Sequence, residues 1–280
     1  MENTILVPID FSEQSMIALE QSYNLAKLSN YSITLLNVIK ISSSFWGIFS
    51  DNEKKDFEIK IEQKLRATAK EAEQKSGVEV GVIMRRGKVS EEILKIADYL
   101  QAKLIIMGTS SGIHVSRKIV GSRTLHIIKS SKVPVISVKG KQHANSCKNI
   151  LLPIDASKDT NQKVKHAIKM AKLFKSKITI LTALYSKGQS ELTIVNDTLI
   201  EIKNEIEREQ IECSTDVLNT EKDKEQVARS IIEYAHKVGA DLIAIMTQEE
   251  RGLSDFFLGS LAQNIIFSSD IPVMTINPKK

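Results

Sequence analysis

The amino-acid sequence repeats itself, and the repeat constrains the fold more than any other feature. "TILVPID" at 4–10 returns as "NILLPID" at 149–155, an offset of 145 residues. "GSRTLHIIKSSKVPVISV" at 121–138 returns as "GSLAQNIIFSSDIPVMTI" at 259–276, an offset of 138. "ITLLNV" at 33–38 also matches "ITILTA" at 178–183. The second copy is therefore seven residues shorter, the loss falling in its middle. Two copies are too few for a solenoid. They predict two tandem domains, 1–140 and 147–280, as a length of 280 residues also suggests.

Each copy alternates strand and helix. "TILVPI" is an unbroken apolar run, as a strand buried on both faces should be. A helix to about Ser29 follows, opened by Asp10 and Ser12, with Asp10 and Glu13 spaced like a capping box. "SITLLNVI" is the second strand, and residues 52–75 form a charged amphipathic helix closed by Gly77. "VEVGVIM", "AKLIIMG" and "VPVISV" are the later strands, separated by helices at "VSEEILKIADYL" and about 115–130. In the second copy "CSTDV" is a weak third strand and "ADLIAIM" the fourth. Strands joined by crossover helices mean a parallel sheet covered on both faces. Ligands of such sheets sit beyond the carboxyl ends of the strands, where strand order reverses. If that point lies between strands one and four, Asp10 and the loop after Gly108 face one crevice.

Composition excludes some classes of function. The net charge of +5 is mild and no basic block stands out, so nucleic acid is not an expected partner. No apolar run approaches the roughly 18 residues that cross a bilayer, so a membrane is not expected either. "MENTILVPID" enters a strand almost at once, leaving no room for a signal peptide. Cys147 and Cys213 lie in the second half without metal spacing, which suits a reducing compartment. A cytoplasmic protein is expected.

Two familiar phosphate motifs fail. "GVIMRRGKV" from Gly81 has five residues between its glycines rather than four, and Val89 stands in place of the magnesium-binding Ser/Thr. A dinucleotide G-x-G-x-x-G should follow the first strand, where "PIDFSEQS" has no glycine. The remaining candidate is "IIMGTSSGIHVSRKIVGS" at 105–122. Gly108 lets backbone approach an anion, serines add donors, and a following helix N-terminus adds a favourable dipole. A strand-to-helix connection needs Gly and Ser for turning and capping as well, so spacing leaves both readings open.

Taken together, "ILVPIDFSEQS", "LIIMGTSSG", Gly121-Ser122 and "KVPVISV" resemble the universal stress protein family. The second copy carries "ILLPIDAS", "LIAIM", Gly259-Ser260 and "DIPVMTI", so the resemblance spans nearly the whole chain as two tandem domains. It implies an α/β fold of two Rossmann-like (adenine nucleotide alpha hydrolase-like) domains, each a five-stranded parallel sheet of order 3-2-1-4-5 with helices on both faces. Some members bind ATP through a Gly-x2-Gly-x9-Gly-Ser/Thr loop after strand four, and others lack the loop and bind none. On this chain the loop starts at Gly108 and ends at Gly121-Ser122, with Ser111 replacing the middle glycine. Adenine and ribose contacts would fall on Pro8, Ile9, Asp10 and Val38, with Met107 beside the loop entry. If Ser111 needs φ > 0, the substitution costs about 1–2 kcal/mol. In the second copy Gly108 becomes Met246 and Ser111 becomes Glu249, followed by Glu250, so ATP, with magnesium as its companion ion, is expected in the first domain only.

Other residues keep two readings. Asp10 could hold a ribose hydroxyl or cap the helix, and Asp155 without an opposing loop favours capping. Arg85-Arg86, Arg117 and Lys118 could face phosphates or water. His114 has no visible partner, and neither His126, His143, His166 nor His236 has ligand or triad spacing, so no catalytic residue and no metal ligand is assigned. "FWGIF" at 45–49 could be a lid, an interface patch or packing for the next helix, and "YSKGQS" in the second copy lacks it. The expected function is that of a non-catalytic stress-response protein whose first domain senses ATP and whose second is structural. A weak ATP hydrolase and a ligand-free interaction scaffold are the alternatives. The family commonly dimerises through its last strands, so "VPVISV" and "IPVMTI" could pair within the chain or support a homodimer.

Overall fold

In each half the apolar runs lie side by side as parallel strands, where a backbone buried on both faces finds its hydrogen bonds. The computed structural model describes residues 3–40, 49–109, 122–140, 147–154, 160–184, 189–219, 223–247 and 259–277. Among them, the first unit runs β1 (Thr4–Pro8), α1 (Glu13–Ser29), β2 (Ser32–Ile39), α2 (Asp51–Ser76), β3 (Val80–Arg86), α3 (Val89–Tyr99), β4 (Leu104–Gly108), α4 (Ser122–Ser130) and β5 (Val135–Val138). The second unit runs β6 (Asn149–Ile154), α5 (Asn161–Phe174), β7 (Lys177–Leu184), α6 (Gln189–Arg208), β8 (Cys213–Asn219), α7 (Lys224–Lys237), β9 (Leu242–Met246), α8 (Ser260–Ser268) and β10 (Val273–Ile276). The described chain divides into these two units between β5 and β6.

The strand order is β3-β2-β1-β4-β5 in the first unit and β8-β7-β6-β9-β10 in the second. Both are the expected 3-2-1-4-5, and every pair within a unit is parallel. The registers match as well. Ile5 lies opposite Ile33 and Leu104, and Ile150 lies opposite Ile178 and Leu242. Ile5, Leu6, Ile105 and Ile106 are wholly buried, as are Ile150, Leu151, Leu242 and Ile243, so each centre is a Leu/Ile layer sealed by helices. Cys147 and Cys213 are buried and free of disulfides. Burial pushes both thiols up, Cys213 to about 12, which leaves them unreactive.

Element ends follow local chemistry. α2 opens on a complete capping box, Ser50 with Glu53, and closes on Gly77 at φ 71°. The third strand begins at Val80, two residues later than "VEVGVIM" suggests, because the Val78 amide turns back onto the Ser76 hydroxyl at 3.3 Å. The fourth helix is described from Ser122, and the earlier part of the expected 115–130 span lies outside the described residues.

One surface pair is kept in both units with its carboxylate on the opposite partner. Lys132 meets Asp98 at 2.9 Å in the first unit. At the equivalent positions of the second, Asp270 meets His236, also at 2.9 Å. No helix among the described residues is long and apolar enough to cross a membrane.

Phe174, the last residue of α5, is 1% exposed and among the largest buried side chains. Phe174→Ala should destabilise the second unit by about 3–5 kcal/mol. Urea unfolding of the variant checks this, and a loss below about 1 kcal/mol would show that the site collapses around the cavity.

Candidate functional site

Strand order reverses between β1 and β4, and a cleft of about 520 Å³ opens there at the carboxyl ends of the first unit's strands. That volume is in the range of small-ligand sites. Pro8, Ile9 and Asp10 come to it from the end of β1, Val38 from β2, Met107 and Gly108 from β4, and Ser122 from α4. Ser111 and Gly121 lie outside the described residues, as do Arg117, Lys118, His114 and the 45–48 part of the aromatic loop. Leu36, Val89 and Ile93 add apolar wall, and Gln14, Ser15, Thr124, Lys40 and Arg123 add polar groups. Leu36 stands two residues before Val38 on the same strand face, a signal that the sequence contained. Arg85 and Arg86 do not line the cleft; Arg86 instead pairs with Glu58 of α2.

Asp10 is not the helix cap that its spacing to Glu13 suggests. The N-cap is Ser12, whose hydroxyl accepts from the Ser15 amide at 3.3 Å. Phe11 adopts φ 62°, a left-handed conformation costly for an aromatic residue. That turn lets Asp10 Oδ1 accept from both the Ser12 amide at 3.0 Å and the Ser12 hydroxyl at 2.5 Å. The Lys64 ammonium, 4.4 Å from the Phe11 ring centroid, ties the turn to α2. Burial pushes the Asp10 carboxyl up, but the Ser12 hydroxyl and amide and the Ser15 hydroxyl outweigh it and hold it below 3.8. Asp10 is thus a fixed anion, with Oδ1 taken by the Ser12 amide and hydroxyl.

A second residue missed in the sequence pins the same corner. Asn37 on β2 is buried and donates to the Ile9 carbonyl at 2.7 Å, so the end of β1 cannot swing. Thr182 donates to the Ile154 carbonyl at 3.0 Å in the second unit, keeping the contact with a different side chain.

Gly108 has a structural duty at the cleft floor. A Cβ there would lie 2.4 Å from the Gln14 carbonyl oxygen, so the first turn of α1 can rest on the end of β4 only against glycine. Its counterpart Met246 is buried, and the helix after β6 begins at Asn161, the equivalent of Met16, three residues later than α1. Gly259, the N-cap of α8, spends its amide on the Thr247 carbonyl at 2.9 Å. The second unit thus places a buried side chain at the position where the first has none. Asp155, Glu249 and Glu250 lie outside the described residues.

Residues 1–139 and 146–277 each match the universal stress protein family. A universal stress protein of Methanocaldococcus jannaschii is 32% identical over 157 residues, which are 50% of this chain and 97% of its own length. One from Bacillus subtilis strain 168 is 30% identical over 148 residues, 50% of this chain and 100% of its own. The crystal structure of a universal stress protein from Archaeoglobus fulgidus covers 100% of this chain and 98% of its own, with a TM-score of 0.76 at 22% identity. That last likeness concerns the fold, and it extends over both units.

Two outcomes follow from the geometry. Gly108→Ala should cost the first unit about 1–3 kcal/mol through overpacking, read by urea unfolding; an unchanged midpoint would contradict the close approach. Because the folded Asp10 value is lowered, its stabilisation is complete above 3.8 and fades as pH falls through the lowered value. A carboxyl NMR titration should place the Asp10 midpoint below 3.8 and Ser12→Ala should raise it; a midpoint indifferent to Ser12 would refute the assigned cause.

Proposed function

The chain belongs to the universal stress protein family, and from that premise we propose a non-catalytic, cytoplasmic stress-response protein that binds ATP in its first unit. The second unit serves as a structural companion. One observation carries the reading: seven residues assigned to a nucleotide from sequence alone line a single cleft at the switch point. Leu36, Val38, Met107 and Ile93 offer an apolar slot for a base. The Asp10 carboxylate suits a ribose hydroxyl, and the Ser122 hydroxyl suits a phosphate. Magnesium would enter with the phosphates, as their counter-ion.

The chemistry of the cleft favours holding over turnover. Asp10 is its one carboxylate among the described lining, and a carboxylate kept ionised by three donors is a weak proton acceptor. Met246 and the engaged Gly259 amide support the structural role of the second unit.

Isothermal titration with ATP and magnesium tests the reading. Binding in the millimolar range or tighter is expected, weakened about tenfold by Asp10→Asn, which loses a charged acceptor. Phosphate release should stay at the buffer rate. The absence of both a heat change and thermal stabilisation at millimolar ATP would sink the proposal, and turnover abolished by Asp10→Asn would replace it with a hydrolase.

A further inference from the structure

Phe11 breaks a local rule beside the cleft. Among the described residues, six that are not glycine have positive φ: Asn3, Phe11, Asn30, Gln101, Lys175 and Gln210. The last four follow the final turn of a helix, the common place for a left-handed residue. Phe11 instead leads into a helix, and it is the one aromatic residue of the six. Glycine would take φ 62° without strain, so the ring has a role that glycine could not fill. Its face receives the Lys64 ammonium at 4.4 Å. Three and four residues from Lys64 on α2 stand Lys60, Ile61, Ala67 and Thr68, none of them acidic. Lys54, Arg66 and Lys75 on the same helix pair instead with Asp51, Glu62 and Glu71. The next residue, Leu65, is wholly buried, so the backbone that carries Lys64 is anchored in the core.

The second copy supplies an internal control. At the 145-residue offset Phe11 becomes Ala156. Cys213 of β8 holds the register of Val80 in β3, and by that register the stretch of α6 equivalent to Lys64 is "NDTL" at 196–199, without a cation. Both halves of the contact are missing from the copy that has Met246 in place of Gly108.

Resting on the nucleotide reading above, we infer that Phe11 and Lys64 are positioning residues for the ligand of this cleft. The ammonium holds the ring, the ring holds the left-handed turn, and the turn aims the Asp10 carboxylate that lines the cleft. Neither Phe11 nor Lys64 lines the cleft itself. Released from this clamp, Phe11 relaxes to negative φ, and the Ser12 amide and hydroxyl leave Asp10 Oδ1. An unheld Asp10 has to be ordered again each time a ligand binds, which lowers affinity although no ligand contact has been deleted.

The test compares the full chain as wild type, Lys64→Met, Lys64→Arg, Phe11→Leu and the double variant Lys64→Met with Phe11→Leu. Isothermal titration with ATP and magnesium should show a loss of about two- to fivefold for Lys64→Met and for Phe11→Leu. The double variant should lose no more than either alone, since both changes remove the same clamp. Lys64→Arg should bind like the wild type, because a guanidinium also sits well on an aromatic face. A carboxyl NMR titration reads the turn itself. The Asp10 midpoint should rise toward 3.8 in Phe11→Leu, where the Lys64 charge is kept and only the ring is gone. A double variant that loses the sum of the single losses, or an ATP affinity and an Asp10 midpoint unmoved by either change, would overturn the inference while leaving the nucleotide reading intact. Failure of the wild type to bind ATP would overturn both.

Discussion

One missing carbon governs the upper end of the first unit. With no side chain at Gly108, the backbone of Gln14 settles against the end of β4, where a Cβ would come within 2.4 Å of its carbonyl oxygen. That contact fixes where α1 begins, and the position of α1 fixes the short turn through Asp10, Phe11 and Ser12. The turn in turn presents Asp10 Oδ1 to both the Ser12 amide and the Ser12 hydroxyl. The second unit shows the alternative solution from the same ancestral pattern. A methionine occupies the floor, and the helix yields three residues.

Much of this architecture was legible in the sequence because its causes are local or repeated. Unbroken apolar runs such as "TILVPI" and "ADLIAIM" can hardly be anything but buried strands, and their duplication fixed the registers of both sheets. Strand order and the place of the cleft follow from crossover topology. Pro8, Val38 and Met107 could then be placed in one crevice through a family resemblance.

The rest depended on conformation that spacing does not encode. Asp10 and Glu13 have capping-box spacing, yet the left-handed turn at Phe11 moves the cap to Ser12. Asn37 reads as an ordinary strand residue until its amide is seen on the Ile9 carbonyl. The same duplication that exposes the fold also exposes function, because it shows which positions two copies of one scaffold stopped sharing.

The reversed pair, Asp98 with Lys132 and His236 with Asp270, bears on how a duplicated chain finds its own partners. Tandem copies with matching registers are prone to exchange equivalent segments during folding. An exchange here would bring Asp98 against Asp270 and His236 against Lys132. Each native pair is exposed and adds well under about 1 kcal/mol, so the penalty on the crossed arrangement is modest. It nevertheless has the right sign where the two carboxylates would meet, and acts as an address label telling each half which strand and helix are its own.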